Sequence, residues 1–122
     1  MPSRSLAGLK VLVLEDDYYQ AQDIQLGLVE AGAAVQGPFA DAAGAMASII
    51  RDPPGCAVID VNLGDGPDFS IARALATQHV PIVFVTGYDD VTIPPEFDRA
   101  PRVRKPTLPE HVAEVIRELL AA

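Results

Sequence analysis

The length, composition and charge of the chain exclude several classes of protein. It has 122 residues, 49% of them hydrophobic, which suits one domain with a buried core. The formal charge of −8 argues against nucleic-acid binding, which favours a basic surface. Its apolar runs fall short of the roughly 20 residues that cross a bilayer, and the run from Leu9 is too short for a secretory leader. We therefore expect a cytoplasmic protein with no membrane or nucleic-acid partner.

Five short apolar runs alternate with helical patterns, which is typical of an α/β fold with a parallel sheet and crossover helices. Strands are predicted at 10–14, 34–36, 57–60, 82–86 and 103–104. Helices are predicted from the first strand to Ala31, after the cap Asp41, at 68–77, and after a capping box from Thr107 to Glu110. The pattern indicates a single domain over 1–122, with 1–6 as a flexible tail and no effector domain.

The stretch between the fourth and fifth strands interrupts the alternation. Pro94, Pro95 and Pro101 lie where a crossover helix is expected. Proline inside a helix removes a hydrogen bond and costs about 3 kcal/mol. Any helix in this stretch is therefore predicted to be short, of one or two turns.

Polar side chains stand at the ends of the predicted strands. Glu15 and Asp16 follow the first strand, Asp60 ends the third, Thr86 ends the fourth, and Lys105 follows the fifth. The carboxyl ends of parallel strands form the edge where open α/β sheets bind their ligands. Clustered carboxylates repel one another unless a cation holds them together, so a divalent metal is expected. The pattern indicates a metal-dependent phosphoryl site.

The carboxylates suit a nucleophile beside a metal. Asp60 is the predicted nucleophile, because a carboxylate oxygen held in line can accept a phosphoryl group. Hard cations prefer oxygen ligands, so Asp16, Asp60 and the backbone carbonyl of Asn62 are the predicted metal ligands. Glu15 is expected to act through a metal-bound water.

Three further groups complete the predicted site. Thr86 offers a hydroxyl, Lys105 offers a mobile ammonium for Asp60 or its phosphoryl group, and Gly87 leaves the approach open. Each polar residue also has an ordinary interpretation, since Asp is common in turns and an isolated lysine is usually solvated. Complementary groups at four strand ends of one chain favour the site over these separate interpretations.

The remaining titratable residues are assigned to the fold. Asp17 suits a helix cap better than a metal ligand. Cys56 opens an apolar run and is interpreted as a core residue, as is usual for a free cysteine. His79 and His111 are expected at surface or capping positions.

The order Glu15-Asp16, Asp60, Thr86 and Lys105-Pro106 resembles the receiver domain of bacterial two-component response regulators, over essentially the whole chain. The resemblance implies a (βα)5, flavodoxin-like, doubly wound sheet of order 2-1-3-4-5. It also implies Mg²⁺-dependent transfer of a phosphoryl group to Asp60, with Mn²⁺ able to substitute. The donor would be the phosphohistidine of a sensor histidine kinase or a histidine phosphotransfer protein. Autodephosphorylation would make the chain a stand-alone switch or relay shuttle for an unknown downstream protein, and not a turnover enzyme.

The sequence Pro-Ile-Val-Phe-Val-Thr-Gly-Tyr at 81–88 resembles the receivers named FATGUY, for Phe-Ala-Thr-Gly-Gly/Tyr, with Val85 in place of alanine. That subfamily tends to have a short or irregular fourth helix. Arg102 stands where receivers usually carry the aromatic residue that reports phosphorylation. We therefore expect Gly87 and Tyr88 to carry the signal into a mobile segment, 88–102, whose acidic residues Arg102 would hold. That segment is expected to have few packed contacts and to open easily.

Tyr88, two residues past Thr86, is predicted to lie near the phosphoryl group and to restrict the approach of water. Tyr88→Ala should therefore lose its phosphoryl group faster than the parent chain. The decay of the phosphorylated mass after removal of the phosphoryl donor measures this. A variant that holds phosphate as long as the parent would contradict the prediction.

Two other functions are compatible with parts of the pattern. A haloacid-dehalogenase-type phosphohydrolase also uses a strand-end Asp with Mg²⁺. That class needs a second Asp two residues later, where this chain has Asn62, and usually a cap domain, for which there is no room. A binding module that has lost phosphorylation is the second alternative, against which the set of Asp16, Asp60, Thr86 and Lys105 argues.

Overall fold

The computed structural model describes residues 5–63, 67–87 and 93–121, which form a parallel sheet with helices on both faces. The strands are β1 (Lys10–Leu14), β2 (Ala34–Phe39), β3 (Cys56–Asp60), β4 (Ile82–Thr86) and β5 (Arg102–Arg104). The helices are α1 (Tyr18–Glu30), α2 (Ala42–Arg51), α3 (Ser70–Ala76) and α4 (Pro109–Ala121), with a 3₁₀ turn at Pro95–Phe97. Each neighbouring strand pair is parallel and the order is β2-β1-β3-β4-β5, which confirms the predicted flavodoxin-like topology. None of the helices in the described ranges is long and apolar enough to cross a membrane.

Alternating side chains on the inner strands build two cores, one on each face of the sheet. On β1, Val11 and Val13 pack with residues of α1 and α4, whereas Leu12 and Leu14 pack with residues of α2 and α3. All four side chains are buried. Strands covered on both faces give the continuous apolar runs that identified β1, β3 and β4 in the sequence.

The ends of the first two helices follow the predicted capping pattern. The carboxylate of Asp17 accepts a hydrogen bond from the Gln20 amide at 2.9 Å, and that of Asp41 accepts one from the Gly44 amide at 2.8 Å. Gly32 follows α1 with a φ of 99°, a left-handed conformation that favours glycine. These contacts confirm the predicted boundaries of α1 and the start of α2.

Other predicted boundaries differ from the structure. β2 continues beyond residue 36 to Phe39, whose carbonyl accepts the Glu15 amide at 2.9 Å. α3 begins at Ser70 because the Asp68 carboxylate binds the Ser70 amide, and this local turn precedes the helix. α4 begins at Pro109 and the Thr107 hydroxyl donates to the Leu108 carbonyl at 3.4 Å, so the predicted capping box is out of register with the helix.

Leu6, which the sequence placed in a flexible tail, packs into the core instead. Its side chain is 2% exposed and lies in the cluster under α1 and α4. Its amide donates to the Ala31 carbonyl at 3.0 Å. The expectation of a tail is therefore wrong at Leu6, and residues 1–4 lie outside the described residues.

The connection between β4 and β5 is packed where the structure describes it. Ile93 and Phe97 are 8% and 5% exposed and join the core under α2 and α3. The single 3₁₀ turn agrees with the predicted short helix. The prediction that this stretch has few packed contacts is wrong for 93–101, because two apolar side chains among its acidic residues reach the core. Residues 88–92 lie outside the described residues.

Candidate functional site

The sheet brings the predicted carboxylates together at the carboxyl ends of β1 and β3. Asp60 ends β3 and is 1% exposed, and Glu15 follows β1 and is 3% exposed. Leu14 pairs with Ile59 in the parallel register, so the next residue of each strand lies beside the other. Carboxylate oxygens of Glu15, Asp16 and Asp60 lie within 4.8 Å of one another, and Asp16 is exposed.

Lys105 completes the buried part of this cluster. It follows β5, and its amide donates to the Thr86 carbonyl at 2.7 Å. Its Nζ lies 3.0 Å from Oδ2 of Asp60 and 3.0 Å from Oε2 of Glu15. Burial lowers the pKa of Lys105, but the hydrogen bonds and charges of Asp60 and Glu15 outweigh it, and the net pKa is raised. Sequence reasoning assigned Lys105 to Asp60 and missed its second partner, Glu15.

The cluster carries more negative charge than one ammonium can balance. Burial, followed by the hydrogen bond and charge of Asp60, raises the pKa of Glu15 to about 8. The Asp17 amide, 3.1 Å from Oε2 of Glu15, and the Lys105 ammonium act in the opposite direction. Either a proton on Glu15 or a bound cation can relieve the remaining repulsion, so the cluster can accept a cation in place of that proton.

The donor set fits a hard divalent cation. All three acidic residues offer oxygen, and Asp16 opens the cluster to solvent. Oε1 of Glu15 is buried without a well-directed hydrogen bond, although Lys105 Nζ lies 3.0 Å from it. The acidic group can therefore hold a metal ion. The Asn62 amide donates to Oδ1 of Asp60 at 3.0 Å and keeps this backbone beside the carboxylate, while the ligand role of its carbonyl stays a prediction.

Thr86, predicted to act in the phosphoryl site, and the residues assigned to switching occupy different places. Thr86 ends β4 and is half-buried, one residue beyond Val85, which pairs with Asp60. A Cβ built on Gly87 would meet no atom within 4 Å, as an open approach requires. Arg102 lies away from the carboxylates, and its Nη2 is 3.9 Å from Oδ1 of Asp98, an acidic residue of the β4–β5 connection. The signalling roles of these residues, and of Tyr88 outside the described residues, stay predictions.

The cysteine and the two histidines assigned to the fold lie away from the carboxylates. Cys56 is fully buried in β3, and burial raises the pKa of its thiol to about 11, so it is an unreactive core residue as predicted. His79 follows α3 in a left-handed conformation, with φ at 58°. His111 is exposed in the first turn of α4, with Nδ1 3.9 Å from a carboxylate oxygen of Glu114. Both histidines therefore occupy the peripheral positions expected from the sequence.

Solved structures similar to this one share its fold over nearly the whole chain. The solution structure of SdrG from Sphingomonas melonis Fr1 has a TM-score of 0.81 at 30% identity, over 92% of this chain and 96% of that chain. The signal receiver domain of a modulated diguanylate cyclase from Desulfovibrio desulfuricans G20 has a TM-score of 0.75 at 26% identity, over 93% and 94%. The PhyR stress response regulator has a TM-score of 0.78 at 24% identity, over 96% of this chain but 47% of that chain.

No protein-family model matches the chain, and no curated protein sequence matches it significantly. The structural neighbours and the site agree on a class of protein. The parallel sheet, the acidic cluster and the lysine after the last strand define a receiver-like domain. The chain belongs to the receiver-domain family of response regulators.

Proposed function

We propose that this chain is a signalling switch or relay shuttle that accepts a phosphoryl group on Asp60 in a Mg²⁺-dependent reaction. The donor is the phosphohistidine of a sensor histidine kinase or of a histidine phosphotransfer protein. The observation that carries the proposal is the buried Asp60 carboxylate, with Lys105 Nζ at 3.0 Å and two more carboxylates beside it. The Thr86-Gly87 pair at the end of β4 supports membership of the FATGUY subfamily, which is part of the proposal.

The contacts of Asp60 prepare it for in-line attack. The Asn62 amide and the Lys105 ammonium each bind one of its oxygens and fix the plane of the carboxylate. A new bond forms between an Asp60 oxygen and phosphorus as the phosphorus–nitrogen bond of phosphohistidine breaks, and the imidazole leaves with that electron pair. Asp16, Asp60 and the Asn62 carbonyl would hold a divalent cation, with Glu15 acting through water, and that cation would supply positive charge to the phosphoryl oxygens.

Lys105 and Thr86 act on the product. Lys105 also pairs with Glu15, so its ammonium stays at the site when it exchanges its contact with the Asp60 carboxylate for a phosphoryl oxygen. The Thr86 hydroxyl can donate to another phosphoryl oxygen. Attack by water on the phosphorus of the acyl phosphate breaks its bond to the Asp60 oxygen, which releases inorganic phosphate and returns the free carboxylate. The chain therefore resets itself, and we class it as a switch and not as a turnover enzyme.

One incubation distinguishes this function from its alternatives. The chain is mixed with acetyl phosphate and Mg²⁺, with a chelator in the control, and its intact mass is followed. A receiver gains one acid-stable, base-labile phosphoryl group only when the metal is present. Sustained release of phosphate with no accumulated adduct indicates a phosphohydrolase, and an unmodified chain indicates a binding module.

Asp16→Ala should remove most of the stabilisation that Mg²⁺ gives the chain. A ligand at 100 times its dissociation constant stabilises the folded state by about 2.7 kcal/mol, which appears as a rise in melting temperature. Without the Asp16 carboxylate the affinity for the cation falls, and so does this rise. Thermal melts of parent and variant over a series of Mg²⁺ concentrations measure the difference.

Asp17→Ala is the matched control for that experiment. Asp17 is adjacent in sequence, but its carboxylate caps α1 through the Gln20 amide. Its removal should cost about 1 kcal/mol without metal and leave the Mg²⁺-dependent increment unchanged. An increment that persists in Asp16→Ala, or that disappears in Asp17→Ala, means that the proposed ligand set is wrong.

A further inference from the structure

Three aromatic rings join the β4–β5 connection to the core beneath the candidate site. We call residues 93–101 the strap. The ring of Phe97 lies 5.4 Å from that of Phe84, edge to face, and 6.1 Å from that of Phe69, nearly parallel. Phe69 and Phe84 are themselves 6.1 Å apart. Each ring thus contacts the other two, and Phe97 is the member that the strap contributes.

Phe84 shares a strand with Thr86, and Phe69 lies in the connection that follows the strand of Asp60. Phe84 lies on β4, two residues before Thr86 and on the same face of the sheet. Phe69 directly precedes α3, at the end of the loop that begins after Asp60. Phe97 therefore contacts one residue of β4, the strand that carries the Thr86 hydroxyl, and one residue at the start of α3, the helix that follows the strand of Asp60.

Two ion pairs tie the outer side of the strap to its neighbours. Glu96 accepts a hydrogen bond from Nε of Arg73 on α3 at 3.2 Å, and Asp98 lies 3.9 Å from Arg102 on β5. The side chains of Arg73 and Glu96 are each about half exposed. These ion pairs can be removed by substitution without altering the core, so the packing of the strap can be weakened selectively.

We infer that Phe97 couples the phosphoryl site to the strap. It takes the reporting role that the resemblance assigns to an aromatic residue at the position of Arg102. This inference rests on the proposed function. Movement of Thr86 toward a phosphoryl group on Asp60 displaces the end of β4, and with it Phe84, relative to Phe69. Close-packed rings have discrete arrangements and do not deform smoothly. The ring of Phe97 therefore cannot keep both contacts, and the strap is released.

The direction of the coupling follows from the arrangement of the site. In this structure the strap packs against Phe69 and Phe84 while Lys105 pairs directly with the Asp60 carboxylate. A phosphoryl group on Asp60 requires Lys105 to exchange that contact. Interactions that hold the strap therefore oppose binding of a phosphoryl group, and coupling between two sites is reciprocal. Substitutions that weaken the contacts of the strap should therefore strengthen the binding of a phosphoryl mimic at Asp60.

Titration of the whole chain with beryllium trifluoride and Mg²⁺ tests this inference. Glu96→Gln should bind the mimic more tightly, by up to about fivefold, which is the most that an exposed ion pair contributes. Phe97→Leu keeps an apolar side chain but loses both ring contacts, and should bind about fivefold or more tightly. The controls are Glu114→Gln, an exposed acid on α4, and Ile116→Val, a buried residue on the opposite face of the sheet. Both controls should bind as the parent does.

Amide exchange provides a second readout in the parent chain. The amides of Phe97, Asp98 and Ala100 donate to carbonyls within the strap, and their exchange should accelerate when the mimic binds. A parent chain that binds the mimic while these amides and both variant affinities stay unchanged overturns the coupling alone. A parent chain that binds no mimic overturns the proposed function, and the coupling with it.

Discussion

Asp60→Asn should abolish phosphorylation of the chain, whereas the parent gains one phosphoryl group from acetyl phosphate and Mg²⁺. The amide has nearly the shape of the carboxylate but carries no charge, so it is a very weak nucleophile and a poor ligand for a hard cation. It also leaves Lys105 paired with Glu15 alone. The expected result is a complete loss of the mass increase in the intact protein.

Asp68→Asn is the matched control for this loss. Asp68 lies near the start of α3, and its carboxylate accepts the Ser70 amide at 2.9 Å, a contact that the amide oxygen of asparagine can keep. The same chemical change at this position should leave phosphorylation intact. An Asp60→Asn chain that still gained an acid-stable, base-labile phosphoryl group would mean that another residue is the acceptor.

The fold was predictable wherever local pattern and burial coincide. Lys10–Leu14 and Ile82–Thr86 match the observed strands because both faces of these strands are covered, so every residue type along them is constrained. β2 was predicted too short because Gly37 and Pro38 are typical of turns. At the edge of a sheet, however, proline loses no ladder hydrogen bond, and the strand continues to Phe39.

The grouping of the candidate site was predictable because parallel strands bring their carboxyl ends to one edge. Asp60, Glu15 and Lys105 needed no side-chain information to be placed together. The contacts of Phe97 depend instead on residues distant in sequence, which no local pattern reveals. Composition made the strap look polar, and two apolar side chains were enough to seat it. The same limit applies to Gly27, whose importance appears only when two helices are seen to touch.

Gly27→Ala should strongly destabilise the fold, although alanine normally improves a helix by about 1 kcal/mol over glycine. Gly27 lies on α1 where the start of α4 crosses it, and a Cβ there would overlap the backbone carbonyl of Pro109. Backbone cannot rotate away as a side chain can, so α4 must move. Overpacking of this kind costs about 3 kcal/mol, and a fall in melting temperature of about 10 °C is expected.

The displacement should also reach the candidate site, because Pro109 is only four residues beyond Lys105. An outward shift of α4 pulls on this short link and moves the ammonium from its position 3.0 Å from Asp60, so phosphorylation by acetyl phosphate should slow. Gly44→Ala, on α2, is the control, since a Cβ there meets its nearest atoms at 3.3 Å. That contact needs only a small adjustment, and the melting temperature should stay close to that of the parent. If Gly27→Ala melted no lower than Gly44→Ala, α1 and α4 could not approach as closely as the structure shows. The predicted displacement of Lys105 would then have no cause.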